Sequence, residues 1–442
     1  MKHDAHRADR APWDPIAGAD LARPMYDLVR RLFPICRSIT GEGVRDTLRI
    51  VGELIPLTVH EVASGTRAFD WTVPREWNIR DAYIANAQGN RVVDFRCNNL
   101  HVVSYSTPVR RTMPLGELQR HLHSLPDQPD LIPYRTSYYE ETWGFCLSHH
   151  QRQSLPDGDY EVVIDSTLAD GSLTYGECLL PGASNDEVLI YTHTCHPSLA
   201  NDNLSGIAVC TFLARQLMSA RRRYSYRFVF APGTIGSLVW LSRHADRVSR
   251  VRHGLVAVLL GDSGSLRYKR SRIGNAEVDR AVQHALKRSG ATYDVEAFSP
   301  YGYDERQFGS PGFNLPVGRM SRSPNSGYPE YHTSADNLAL IRPESLADSL
   351  SVCAQIVEIL EGNRRFLNTS PFGEPQLGRR GLYRPMGGVS VPERETAMLW
   401  TLNRSDGAHS LLEIADEAGL DFELIRRTAD ELLDAGLLTT AP

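Results

Sequence analysis

Apolar segments typical of strands alternate with amphipathic segments typical of helices over the middle of the chain, and this pattern constrains the fold most strongly. The predicted strands are Tyr160–Ile164, Glu187–His193, Tyr226–Ala231 and Leu255–Leu260, and the predicted helices are Ser205–Arg221 and Asn275–Arg288. Such alternation predicts an α/β sheet covered by helices on both faces. Ligands bind at the carboxyl ends of the strands in sheets of this kind, so polar residues just after a strand are the first functional candidates.

The character of the sequence changes on both sides of this region. Residues 69–150 consist of short β-rich segments punctuated by Pro and Gly, which predicts a β-rich subdomain inserted into a core of residues 21–68 and 151–365. Residues 366–391 are rich in Pro and Gly and are interpreted as a linker. Residues 392–442 carry three helical patterns, which predicts a separate C-terminal module.

Composition narrows the classes of function. With 48 Lys and Arg against 53 Asp and Glu, the formal net charge is −5, so the chain as a whole does not attract nucleic acid or anionic membranes. Seven cysteines without a Cys-x-x-Cys pair argue against a disulfide framework and favour a reducing compartment. The N-terminal segment is polar, and no apolar run approaches the roughly 18 to 20 residues that span a bilayer. We therefore expect a cytoplasmic protein.

Histidine and aspartate side chains follow several of the predicted strands. His196 and Asp202 lie between strand Glu187–His193 and the next helix, Asp262 follows strand Leu255–Leu260, and His332 lies in a loop rich in Pro and Gly. Imidazole and carboxylate groups that converge from strand ends suit zinc. The alternative is that Asp202 only caps the helix and that His196 is an ordinary loop residue.

Cys195 precedes His196 and raises the question of a nucleophilic pair. Neighbouring side chains of an extended segment point to opposite faces, so we expect the two not to meet. The sequence therefore favours a buried structural thiol at Cys195.

Several longer motifs carry a family resemblance. In the predicted core they are Cys195-His196-Pro197, Ala200 to Gly206, Phe230 to Ser237, Tyr303 to Gln307 and Pro329 to Asp336, and in the insertion Phe69 to Ile79 and Asn98 to Ser106. In this order they resemble the DUF4910 aminopeptidase-like family, a bacterial branch related to the M28 zinc aminopeptidases, with a DUF2172-type inserted β subdomain and a C-terminal winged helix. The resemblance implies a phosphorylase/hydrolase-like core, that is, an M28 peptidase-like three-layer α/β/α sandwich.

The resemblance also implies roles for individual residues. Asp202 would bridge two metals, Asp262 and His332 would complete one site, and His196 would belong to the other. Arg306 and Tyr331 are candidates for substrate binding, since an arginine presents a planar donor fork to a carboxylate.

Gly233 departs from the family pattern. M28 enzymes carry two adjacent glutamates after the strand that matches Tyr226–Ala231, DUF4910 members usually keep one in Pro-Glu-Thr, and this chain has Pro232-Gly233-Thr234. Loss of a general base typically costs about 10²- to 10⁴-fold in rate. Asp304 or Glu305 is the candidate replacement, although the same residues also fit a solvated helix start. The loss weakens the second metal position, so we expect one zinc rather than two.

These observations lead to two functional hypotheses. The first is a zinc-dependent, aminopeptidase-like amide hydrolase acting on a small or carrier-linked amino-acid-type conjugate in a biosynthetic pathway. The second is a repurposed or catalytically silent family member that binds a small molecule or a carrier protein. Gly233 is the residue that keeps the second hypothesis open.

The C-terminal module has helix-turn-helix form, but its charge argues against DNA. Residues 393–438 contain four arginines and eleven acidic residues, a net charge of −7. Such a surface would repel phosphates. We expect a role in subunit contact, including homo-oligomer formation, or in partner docking.

Overall fold

The computed structural model describes residues 18–382 and 393–441. Contacts divide the chain into two compact units. The first runs through residue 276 and includes residues 292–351, and the second comprises residues 277–291 and the chain from residue 352 onward. The polar N-terminal segment up to residue 17 and the last part of the predicted linker, residues 383–391, lie outside the described residues.

An eight-stranded mixed sheet forms the centre of the first unit. Its strands, in spatial order, are β1 (Thr58–Ala63), β10 (Ser172–Leu180), β12 (Ser225–Ala231), β11 (Glu187–His193), β13 (Val251–Ala257), β16 (Val317–Ser321), β14 (Leu266–Lys269) and β15 (Tyr293–Glu296). Strands β12, β11, β13 and β16 run parallel to one another, and β10 pairs antiparallel with both β1 and β12. Strand β14 pairs antiparallel with β16 and parallel with β15. Every residue of β11 and β12 is buried, as expected for strands covered on both faces. The predicted α/β fold is confirmed.

Six helices belong to this unit outside its insertion, the last of them only in part. They are α1 (Gly18–Leu32), α2 (Glu42–Gly52), α5 (Gly206–Met218), α6 (Ile235–His244), α8 (Glu305–Phe308) and the first half of α9 (Pro343–Gly362). Helix α5 begins directly after an irregular segment, Ala200–Ser205, and all but two of its residues are buried. This irregular segment brings Asp202 to the carboxyl end of β11.

The insertion is built on a four-stranded antiparallel sheet. The order is β5 (Arg91–Asp94), β4 (Glu76–Ala85), β9 (Asp159–Ala169) and β6 (Val109–Pro114). Smaller elements complete it: β2 (Arg67–Ala68), β3 (Trp71–Thr72), α3 (Leu115–Leu118), β7 (Leu122–His123), β8 (Phe145–Cys146) and α4 (His149–Gln153). The predicted strand Tyr160–Ile164 therefore belongs to the insertion rather than to the core sheet, because β4 and β6 pair with β9 on its two sides.

The second unit contains a winged-helix module. Helices α10 (Glu393–Arg404), α11 (Leu411–Ala418) and α12 (Phe422–Asp434) accompany a sheet in the order β18 (Asp406–Ser410), β17 (Arg365–Asn368), β19 (Leu438–Thr440). Strand β17 lies at the start of the segment that composition assigns to a linker, and it forms the middle of this sheet. The unit also contains α7 (Glu277–Ser289) and the end of α9.

Two negative expectations concern the described part of the chain. None of its helices has the length and apolar character needed to cross a bilayer. All seven cysteines are described, and each is a free thiol.

Candidate metal centre

The loop between β11 and α5 is held in place by side chains on either side of Asp202. Asn201 accepts a hydrogen bond from the Gly261 amide at 3.0 Å, and Asn203 donates to Thr192 Oγ1 at 2.8 Å. The Asn203 carbonyl oxygen atom Oδ1 also accepts from the Leu259 amide at 3.2 Å. The segment is therefore tied to β11 and to the chain that follows β13, and Asp202 is left facing the cluster of imidazoles.

Asp336 supports the same loop from the opposite side. Its two carboxylate oxygens accept hydrogen bonds from the amides of Asn201 at 2.6 Å and Asp202 at 3.0 Å. Burial raises the pKa of Asp336 to about 7. Sequence reasoning quoted this residue in a motif but gave it no role, because a carboxylate that binds backbone amides leaves no signature in spacing.

Asp202 lies between two histidines and is wholly buried. Its Oδ1 atom is 2.8 Å from His193 Nε2, and its Oδ2 atom is 3.1 Å from His332 Nε2. The side chain therefore has the geometry of a bridging carboxylate. It does not cap α5, since no side chain caps that helix.

His193, His196 and Asp202 form a group that suits a metal ion. One ligand atom from each lies within 4.8 Å of the other two. Burial lowers the pKa of His196 to about 3, so this imidazole is neutral at pH 7. Burial favours the neutral acid at Asp202, but His196 and the hydrogen-bonded His193 and His332 hold its pKa well below the usual range. Neutral imidazole and ionised carboxylate are the forms that bind zinc.

His193 is the ligand candidate that sequence reasoning missed. It is the last residue of β11, 1% exposed, and its Nδ1 atom is buried without a hydrogen-bond partner among the described residues. The rule that favours polar residues at carboxyl ends of strands applies to it, but the apolar pattern of Glu187–His193 includes it in the predicted strand.

Asp262 is engaged elsewhere. Its Oδ2 atom accepts from Asn201 Nδ2 at 2.6 Å, and its Oδ1 atom accepts from the Gly264 amide at 2.6 Å. It does not belong to the group of convergent ligand atoms. The structure thus brings together His196, Asp202 and His332 of the predicted metal set, adds His193, and assigns Asp262 to a loop contact.

A cavity of about 320 Å³ opens beside the cluster. Its lining comes from the core and from the insertion, and consists of Tyr134, Arg135, Thr136, Tyr138, His193, Cys195, His196, Gly233, Thr234, Tyr301, Gly302, Tyr303, Asp304, Arg306, Asn325, Tyr331 and His332. The insertion is attached here by a hydrogen bond of 2.7 Å from the Tyr134 amide to the His332 carbonyl. Predicted residues Asp304, Arg306 and Tyr331 all lie in this lining.

Asp304 and Glu305 are adjacent but have different surroundings. Asp304 Oδ1 accepts from the Thr234 amide at 2.8 Å and from Ser237 Oγ at 2.6 Å. A Cβ atom placed on Gly233 would lie 3.9 Å from the other oxygen, Oδ2. Glu305 is absent from the cavity lining and pairs with buried Lys269 at 2.9 Å.

Cys195 and His196 do meet, and the expectation that they would not is wrong. The Cys195 Sγ atom is 3.4 Å from His196 Nδ1 and accepts a hydrogen bond from the Gly233 amide at 3.2 Å. Both residues follow β11 outside any strand, so the alternation expected of a strand does not apply to them. Burial raises the pKa of Cys195 to about 12, which keeps the thiol protonated and agrees with a structural role.

Comparison with known proteins places this arrangement in a family. Residues 26–363 match the family described as "Domain of unknown function (DUF4910)", and residues 364–440 match a winged helix-turn-helix family. The chain belongs to the DUF4910 family. Its winged-helix match begins one residue before β17, in agreement with the sheet of the second unit.

This DUF4910 chain has a relative in Clostridium acetobutylicum that is 54% identical over 415 residues, 94% of this chain and 95% of the relative. The name of that protein refers to polysaccharide biosynthesis and to an aminopeptidase-like domain. A crystal structure described as a peptidase from the same organism has 51% identity and a TM-score of 0.91, and covers 96% of this chain and 97% of that one.

More distant structures share the fold of the DUF4910 core. An M28 peptidase precursor from Shewanella amazonensis has 14% identity and a TM-score of 0.56, and covers 78% of this chain and 95% of that one. A zinc aminopeptidase from Bacillus subtilis has 13% identity and a TM-score of 0.53, and covers 76% of this chain and 94% of that one. At this identity the likeness shows the M28 peptidase-like fold alone.

Proposed function

We propose that the protein is a zinc-dependent, aminopeptidase-like amide hydrolase whose general base is Asp304. The observation that carries the proposal is the position of Asp304, in the lining of the same cavity as the His193, His196 and Asp202 group and next to Gly233. A carboxylate thus stands beside the position where the family resemblance places a glutamate.

One zinc ion suits the donors present. His193, His196 and Asp202 would hold it, and His332 faces the second oxygen of Asp202. Bound there, zinc supplies Lewis-acid polarisation of a substrate carbonyl. The missing glutamate at Gly233 leaves few groups for a second ion.

Asp304 has the geometry of a proton acceptor. The hydrogen bonds from Thr234 and Ser237 fix one oxygen and leave Oδ2 on the side of Gly233. Burial raises the pKa of Asp304, which increases its affinity for a proton. Asp304 takes a proton from the attacking water and delivers it to the leaving amine, as a general base and acid does.

The cavity volume of about 320 Å³ favours a small substrate. Ligand sites for small molecules start at roughly 300 Å³. An amino-acid-type conjugate fits this volume, whereas a folded protein substrate does not. The biosynthetic setting named for the Clostridium acetobutylicum relative agrees with a tailoring or deprotecting step.

The test combines metal content with a single substitution. In protein purified without chelators, we expect about one zinc per chain by elemental analysis. Asp304→Asn should lower the rate of aminoacyl amide hydrolysis by about 10²- to 10⁴-fold with zinc content unchanged. Asp246→Asn is the matched control, since that carboxylate is 78% exposed and lies outside the cavity lining.

Two results would contradict the proposal in different ways. An absence of stoichiometric zinc, together with unchanged thermal stability of His193→Ala, would remove the metal centre. Unchanged turnover in Asp304→Asn would remove the base. Stoichiometric zinc and tight binding of an aminoacyl amide without turnover would favour the second hypothesis, a silent binding protein, for which Gly233 is the motivating feature.

A further inference from the structure

Two arginines line the cavity without a carboxylate to neutralise them. Within the described parts of the chain, Arg306 has no ion pair and its buried Nε atom has no hydrogen-bond partner. By contrast, Arg322 is engaged by Asp348, by Ser349 Oγ at 2.9 Å and by the Gly264 carbonyl at 2.8 Å. Arg306 is therefore available to a ligand, and Arg322 is not.

The nearest acid in sequence does not neutralise Arg306. Glu305 Oε1 accepts from Lys269 Nζ at 2.9 Å and lies 3.7 Å from Arg319 Nη1. Lys269 also donates to the Tyr301 carbonyl at 2.6 Å, which holds the loop that leads into α8. The Lys269–Glu305 pair and the hydrogen bond from Lys269 to Tyr301 thus fix the loop, and Arg306 lines the cavity.

The second arginine, Arg135, comes from the insertion. Its Nη1 atom lies 3.1 Å from His123 Nδ1, and no described carboxylate pairs with it. Burial and then the neighbouring Arg135 lower the pKa of His123 to about 4. At pH 7 this histidine is therefore neutral, so it accepts the hydrogen bond from Arg135 without offsetting the charge of the guanidinium. The lining thus carries two guanidinium groups from two different elements and one carboxylate, Asp304, which forms an ion pair with neither among the described residues.

Five tyrosines make up much of the remaining wall. They are Tyr134, Tyr138, Tyr301, Tyr303 and Tyr331. Tyrosine rings offer apolar surface and a hydroxyl, so the four that are buried or half-buried reduce the contact of a charged group with water, whereas Tyr301 is 64% exposed. An unpaired guanidinium in such a place costs desolvation energy that an anionic partner offsets.

We propose that the cavity selects substrates bearing an anionic group, a carboxylate on the amine side of the scissile amide, and that Arg306 is the residue that binds it. The inference rests on the proposed hydrolase function for the location of that amide. It names the substrate class as conjugates whose leaving amine is itself an amino acid with a free carboxylate. Arg135 contributes charge from the insertion.

The test uses two probes that differ only in this group, leucyl-glycine and leucyl-glycinamide. Isothermal titration calorimetry on the full chain should show about 10- to 100-fold tighter binding of the carboxylate probe, the range expected for a bidentate charge-assisted contact. Arg306→Gln should abolish that preference. Arg120→Gln, an exposed arginine outside the cavity lining, should retain it.

A second measurement does not depend on the variant folding well. Phenylglyoxal should modify Arg306 in the wild-type chain, and leucyl-glycine should slow that modification while leucyl-glycinamide does not, as read by peptide mass spectrometry. Equal affinity for the two probes, no detectable binding of either, or a preference that survives in Arg306→Gln would overturn the proposal.

The calorimetry separates this inference from the function it rests on. Titration of the Asp304→Asn variant reads binding without turnover, and a chain that holds no zinc and hydrolyses nothing still supports the inference if it prefers the carboxylate. A chain that hydrolyses both probes with equal kcat/KM retains the proposed function and fails the inference.

Discussion

Single residues decide which carboxylates face the cavity. Asp304 and Glu305 are neighbours in sequence, yet the hydrogen bonds of Ser237 and Thr234 orient the first toward Gly233, and Lys269 holds the second away from it. The family position at Gly233 has room for a side chain. A Cβ there would lie 3.4 Å from Cys195 Sγ and 3.6 Å from His193 Cβ, which are ordinary contact distances.

We expect the substitution Gly233→Glu to restore a base when Asp304 is removed. Because a Cβ is accommodated, Gly233→Ala should change the melting temperature by no more than about 2 °C. The double variant Asp304→Asn/Gly233→Glu should regain at least about tenfold in kcat over Asp304→Asn alone. Gly233→Gln in the same background is the uncharged control, and equal rates for Glu and Gln would show that position 233 cannot supply a base.

The Lys269–Glu305 pair is expected to act on stability. Both side chains are at most 2% exposed, so Glu305→Gln leaves a buried ammonium without its counter-charge. Breaking such a pair costs about 3–5 kcal/mol in the free energy of unfolding, measured by urea denaturation. The double variant Lys269→Met/Glu305→Met should be less destabilised than Glu305→Gln, and a reversed order would mean that the pair does not behave as a buried ion pair.

At the scale of elements, the strands of the core sheet position groups that lie outside the site as well as inside it. Strand β13 pairs with β11 in the sheet and leads to the loop that contains Asp262. The same strand carries His253, which is 4% exposed. Burial lowers the pKa of His253 to about 3. Its unfolded value is near 6.5, so the folded state excludes a proton that the unfolded state accepts.

This difference predicts acid lability. The stabilising contribution is present above about pH 6.5 and is lost as the pH falls from there toward 3, at up to about 1.4 kcal/mol per pH unit from this group. His253→Gln should flatten that part of the curve of unfolding free energy against pH. The measurement is urea denaturation between pH 7 and pH 4, and an unchanged slope would show that His253 titrates normally in the folded chain.

At the scale of the molecule, the winged-helix module uses its charged groups internally. The four arginines of residues 393–438 all pair with acids of the same module: Arg394 with Glu431, Arg404 with Glu417, Arg426 with Glu423 and Asp430, and Arg427 with Glu423. The first amide of α12, Phe422, donates to His284 Nε2 of α7 at 3.0 Å, within the same unit. A recognition helix normally presents this end to bases.

We therefore expect no salt-sensitive DNA binding by the full chain. An electrophoretic mobility assay with random duplex DNA at low salt should show no shift, since phosphate contacts require cations that are free. A zinc-finger or homeodomain protein under the same conditions is the positive control. A shift that weakens steeply with salt would contradict the expectation that this module contacts proteins rather than DNA.

The sequence by itself determined the α/β class, the presence of an insertion and a C-terminal module, and the loop that carries His196 and Asp202. These follow from local signals, namely strand–helix alternation, changes of composition and a long motif whose residues are close in the chain. The sequence also predicted that His196, Asp202 and His332 converge at one edge of the sheet, and the 3.1 Å contact between Asp202 and His332 agrees with it.

Only the tertiary structure decided which partners the remaining polar groups take. Asp262 binds Asn201, 61 residues away, and Glu305 binds Lys269, 36 residues away, so neither choice is encoded in local spacing. Cys195 lies 3.4 Å from His196 Nδ1, in a segment that follows β11 outside any strand. A polar group that is buried must find a partner, and which partner is nearest depends on how strands pack. For this reason the fold could be predicted from pattern, whereas the orientation of each carboxylate at the site could not.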